Sequence, residues 1–114
     1  MDTYEARTRM LETAEQALEI VERLERGQSP SPDDRRNLRQ LLLEARATLA
    51  DAGYPGEAVW RGLQRASMAM ETSFDQSDPL VWQDTAGQLR AAMETLQSLV
   101  SPQFRRETDF YIVG

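Results

Sequence analysis

The chain has 114 residues, with 13 basic and 19 acidic side chains and a formal net charge of −6, which is room for one core and no second domain. It contains no Cys, no His and no Lys, so all 13 basic residues are Arg. Disulfides and thiolate metal sites are thereby excluded, and with them the imidazole and amine chemistry of the usual general bases, Schiff bases and metal centres.

Any catalysis would have to rest on carboxylates, hydroxyls, Tyr and Arg. The all-Arg usage fits a GC-rich bacterial genome, or a need for forked guanidinium contacts to carboxylates. Leu, Ile, Val and Phe make up about a fifth of the chain, close to the level at which chains stay disordered. Ala and Met lift the apolar share to 40%, so the expectation is a folded domain with a thin core.

The N-terminus, Met1-Asp2-Thr3-Tyr4-Glu5, carries no basic segment followed by an apolar run, so no signal peptide is expected. No apolar stretch is long enough to span a membrane, and a cytoplasmic location is the expectation. The acidic balance opposes nucleic-acid binding, which draws its affinity from neutralised phosphates.

All five prolines fall between apolar-periodic segments, where they mark helix boundaries. The first helix is predicted over about residues 3–26, with Asp2 and Glu5 as a capping box and Gly27 as a left-handed stop. Its apolar arc is Met10, Leu11, Ala14, Ala17, Leu18, Val21 and Leu24. The second helix is predicted over 32–52, capped by Ser31, with Pro32 at its first position and Asp33 and Asp34 facing its positive dipole end. Leu38, Leu41, Leu42, Ala45 and Leu49 form its stripe, and Gly53 ends it.

The third helix is predicted over 56–74, with Val59, Leu63, Ala66, Met70 and Phe74 inward. Asp78 and Pro79 open the fourth, over 79–100. Its residues Trp82, Ala86, Leu89, Met93, Leu96 and Val100 are spaced 4-3-4-3-4, as in a knobs-into-holes seam. Long helices joined by loops of about four to six residues favour antiparallel neighbours. The predicted fold is all-α: an antiparallel up-down four-helix bundle over 1–102, followed by a short apolar C-terminal tail, 103–114.

Four features are candidates for function. Glu12, Glu15, Glu19 and Glu22 share a sector of about 80° beside the apolar arc of the first helix. In all-α nucleotide pyrophosphohydrolases, similar E-x-x-E ridges hold Mg²⁺, which needs a second acidic helix opposite. Here Asp75 and Asp78 fall in a loop and Glu44, Glu71 and Glu94 stand alone. The simplest reading is a solvated or salt-bridged face, with Mg²⁺-dependent nucleotide hydrolysis and nucleic-acid mimicry as alternatives. Arg35, Arg36, Arg39 and Arg46 cluster on the second helix; the expectation is that Arg39 and Arg46 reach across to that ridge, with a site for a small anion or an acidic partner as the alternative.

Leu43, with Ala47 and Ala50, lies about 100–180° from the second helix's stripe, and Trp60, Met68 and Ile20 lie off the centres of theirs. They either close an irregular bundle or form a contact patch for another copy or another protein. The tail carries Phe104 and then Phe110-Tyr111-Ile112-Val113. Such a run either packs back on the bundle or docks on a partner. Gly62 and Gly87 interrupt helices at about 1 kcal/mol each relative to Ala, and spacing assigns them no role.

The expected function is non-catalytic protein binding, as a small accessory, chaperone-like or inhibitor protein. No cofactor and no metal is called for. The predicted contact residues are Leu43, Trp60, Met68, Phe104, Phe110, Tyr111, Ile112 and Val113, bordered by Arg35, Arg36 and Arg39. The partner is another protein or a second copy of the chain, with neither nucleic acid nor membrane involved.

Overall fold

A computed structural model describes residues 2–72 and 79–100. They form α1 (Thr3–Glu25), α2 (Pro32–Ala52), α3 (Tyr54–Thr72) and α4 (Pro79–Val100), with no strand among the described residues. Phe74, Asp75, Asp78 and the tail residues Phe104 and Phe110 to Val113 lie outside the described residues.

Local chemistry sets the helix ends. Asp2 accepts the Glu5 amide at 2.7 Å and caps α1. The expected capping box is absent there, because the Glu5 carboxylate instead accepts from Arg9 one turn on, at 3.3 Å. A full box forms at α2. The Ser31 hydroxyl accepts the Asp34 amide at 3.1 Å, and the Asp34 carboxylate accepts the Ser31 amide at 3.2 Å. The free oxygen of Asp34 accepts from Arg23 of α1 at 2.7 Å.

Asp34 is buried. Burial alone would raise its carboxyl pKa, but the Arg23 hydrogen bond, the Ser31 amide and the Arg23 charge outweigh it and hold the group below its ordinary value. Gly27 takes a left-handed φ of +97° just past α1, as its position predicts.

The link between α2 and α3 differs from expectation. Only Gly53 separates the two helices, where a longer loop was predicted, and α3 starts at Tyr54. Gly53 has φ +77° and ψ −156°, a region open essentially to Gly alone. Its amide donates to Leu49 O at 3.3 Å, while its carbonyl accepts the Gly56 amide at 3.0 Å. One residue thus ends α2 and starts α3. Arg7 of α1 reaches the same corner and donates to Ala52 O at 3.0 Å, occupying a carbonyl the helix end leaves open.

α1 packs on α2 and α4 and touches α3 across the diagonal, while α2 and α4 do not meet among the described residues. The cross-section is therefore a flattened square with α1 on its short diagonal. The core holds Met10, Ala14, Val21, Leu38, Ala45, Val59, Leu63, Ala66, Met70, Trp82, Leu89 and Leu96. Thr13, Thr48 and Thr85 join it although the apolar pattern passes over them. Each hydroxyl donates to a carbonyl one turn back in its own helix, at 2.9, 3.2 and 2.8 Å, so it enters the core already paired. No helix among the described residues is long and apolar enough to cross a membrane.

Candidate functional site

The two flanks of α2 meet different neighbours. The flank facing α1 carries Asn37, Gln40, Glu44 and Ala47. With α1 it lines two shallow grooves of about 390 and 380 Å³, which run end to end because both include Gln16 and Glu44. The flank facing α3 carries Arg39, which donates to Glu71 at 3.0 Å. This overturns the expected bridge from Arg39 and Arg46 to the α1 ridge. Arg39 lies on the α3 flank, and exposed Arg46, two turns further on, shares its side of the helix, turned away from the side on which Glu44 meets α1.

The Glu ridge divides along the same logic. Glu12 and Glu19 line the α1–α2 grooves, and Glu15 is exposed. Glu22 turns the other way, to α4, where Arg90 donates to it at 3.1 Å and to Glu25 at 3.3 Å. The Glu22 hydrogen bond, aided by the charge of Glu25, raises the Arg90 pKa. Among the described residues no three acidic side chains converge to hold a metal ion. The two grooves are floored by Ile20, Leu41, Thr13 and Thr48 and rimmed by Arg9, Arg23 and acids. Arg9 is engaged by Glu5 and Arg23 by Asp34.

Several candidate contact residues on α2 and α3 are exposed. Leu43 is 58% exposed and Met68 65% exposed. Ala47 and Ala50 are exposed beside Leu43. Trp60 is only half-buried and packs against the core margin. Arg36 is exposed and lies 3.6 Å from Asp33, and Arg35 is half-buried. Ile20 does not belong to this group. It is buried at 6% exposure, because α1 has neighbours on both flanks and its apolar arc is wider than a single seam.

Sequence spacing passed over Tyr54, 82% exposed beside the α2–α3 turn, and Leu80, 63% exposed at the start of α4. Tyr54 was legible in principle, since it stands between a turn glycine and a helix-opening proline. The spacing gives Asp34 only a place at the positive end of α2, and its bond to Arg23 of α1 is a contact between helices that no single helix pattern shows. No family model, no curated protein and no solved structure matches this chain.

Proposed function

We propose that this protein does no chemistry of its own and acts as a small accessory protein that binds another protein through the outer face of α2 and α3. Leu43 and Met68 anchor the contact, Trp60 lies at its edge, and Arg35, Arg36 and Arg39 orient the partner. The segment 103–114 supplies a second contact through Phe104, Phe110, Tyr111, Ile112 and Val113.

The observation that carries this reading is the exposure of Leu43 and Met68, at 58% and 65%, on consecutive helices of a chain whose apolar residues are scarce. A Leu left outside beside exposed Ala47 and Ala50, while Ala fills the core, is better explained by an interface than by a folding need. The enzyme reading has less support. Glu22 is committed to Arg90, Glu12 and Glu19 line open surface grooves and Glu15 is exposed, with no group of acidic residues able to hold a metal ion among the described residues.

The test is size exclusion with light scattering, and identification of co-purifying protein, on the full chain, on the double variant L43D/M68D and on a chain ending at residue 102. Association that vanishes in the double variant, with helicity unchanged, supports the reading. A protein that stays monomeric and retains nothing, or a double variant that binds as the parent does, overturns it.

A further inference from the structure

The outward face of α2 is built as one strand of a coiled coil. Gln40, Leu43, Ala47 and Ala50 follow one another at spacings of three, four and three residues, and all are exposed. That is the heptad spacing of an a/d seam, here on the side of the helix away from its own core, with Gln40 and Ala47 also forming the outer rim of the α1–α2 grooves. Reading Gln40 and Ala47 as a and Leu43 and Ala50 as d places Arg39 and Arg46 at g and Glu44 and Asp51 at e. All four of these charged residues are exposed as well.

The signs are segregated. The g flank, toward α3, is basic at both positions, and the e flank, toward α1, is acidic at both. In a parallel pair, each g side chain meets the e side chain five residues further along the partner. Arg39 then meets the partner's Glu44, and Arg46 meets the partner's Asp51, each pair made twice by symmetry. An antiparallel pair would instead set g against g and e against e, guanidinium over guanidinium and carboxylate over carboxylate. The pattern therefore selects both the occupant and its direction.

We propose that the occupant of this face is a second copy of the chain, with the two α2 helices side by side and parallel about a two-fold axis running along them. The inference rests on the reading of the outer α2 face as an interface and names what fills it.

The surroundings agree with that arrangement. Glu12 and Glu19 of α1 lie on the same side of α2 as Glu44, along the α1–α2 grooves. Their field therefore extends the acidic flank toward the partner's Arg39 and Arg46. Arg9 and Arg23, the cations nearest those acids, are already held by Glu5 and Asp34. Arg39 keeps its bond to Glu71 and has donors to spare, because a guanidinium carries five N–H groups in a fork. Ala47 and Ala50 allow the helix axes to approach at about 8 Å, the close end of the usual range. With one Leu per copy in the seam the contact is weak and salt-sensitive, and charge fixes its register more than its strength.

A charge-swap experiment tests it. R39E/R46E makes both flanks of α2 acidic, and E44R/D51R makes both basic; all four positions are exposed, so thermal unfolding should find both variants folded. The wild-type chain is expected to sediment as a dimer at about 0.1 mM protein in low salt and to dissociate as salt rises. Each variant alone should lose association by about tenfold or more, and an equimolar mixture should recover it as a heterodimer.

Because the chain has no Cys, Q40C and A50C report the direction. Both cross-link to themselves in a parallel pair, whereas an antiparallel pair brings only one level of the seam face to face. A mixture that stays monomeric, or variants that dimerise alone as well as the parent, overturns the proposal. A monomeric wild type that still binds a different protein through Leu43 overturns it too, and leaves the broader interaction reading standing. A chain that does neither removes both.

Discussion

At the start of α2 a buried carboxylate, Asp34, takes an amide from Ser31 and a guanidinium from Arg23. At its end, just past Gly53, Gly56 closes against Ala52 and Met10 in a corner where a methyl group on Gly56 would come within 2.8 Å of Ala52 Cβ and 3.0 Å of Met10 Cε. The first end is held by charge and hydrogen bonds, the second mainly by shape, with one polar contact from Arg7. The difference teaches where the bundle can be retuned. A polar clamp responds to pH and tolerates a conservative replacement. A steric corner responds to neither, so the α2–α3 hairpin has a fixed base while the α1–α2 junction is adjustable.

The largest effect is expected at Gly53. Alanine there must adopt φ near +77° with an extended ψ, which costs about 2–3 kcal/mol, and its methyl group would stand 3.7 Å from Arg7 Nη2. Chemical denaturation of G53A should show that loss at every pH. A variant as stable as the parent would mean the corner is not held by backbone geometry.

Next comes Gly56→Ala, at about 1–2 kcal/mol, because overpacking against the Ala52 methyl is partly offset by the better helix propensity of Ala. The neighbour is another Cβ and cannot turn away. Adding Ala52→Gly should therefore relieve part of the loss, and strict additivity of the two changes would refute the contact.

The polar end gives a smaller and pH-dependent effect. Asp34→Asn keeps an acceptor for the cap but removes the charge that pairs with Arg23, at a cost of about 1 kcal/mol near neutral pH. The folded-state pKa of Asp34 lies below its ordinary value. The stability it contributes is therefore complete above the usual carboxyl range and lost as pH falls through the lowered value. Parent and variant should converge in acid, and unfolding curves measured from neutral pH downward will show it. Curves that stay parallel would assign the pH dependence to other carboxylates.

These two ends also differ in how far they can be read from sequence. Ser31-Pro32 and Asp2 mark helix starts by local chemistry, and the observed α1, α2 and α4 follow that punctuation closely. The one-residue link at Gly53 does not follow, because it depends on a backbone conformation that a Gly permits without requiring. Partners across the bundle are harder still. A single helical wheel puts Arg39 beside the stripe, but whether that flank meets α1 or α3 depends on the turn of the bundle, which no one helix encodes. Thr13, Thr48 and Thr85 were missed for a third reason, since a hydroxyl bonded to its own helix counts as polar in a pattern and as filled space in a core. The exposure of Leu43 was legible, because its spacing sets it away from the inward stripe of α2.

The smallest effect sharpens the steric half of the comparison. If what a glycine touches decides its role, two glycines in similar mid-helix positions should answer differently to the same change. A methyl group on Gly87 would meet nothing within 4 Å, so G87A should stabilise by about 0.5–1 kcal/mol through helix propensity alone. A methyl group on Gly62 would meet Leu89 Cδ2 at 3.1 Å, across the α3–α4 seam. That atom ends a side chain that can shift, so the cost of moving it offsets the propensity gain and G62A should leave stability about where it was. Equal gains in thermal stability for the two variants would show that α3 and α4 have slack at this level.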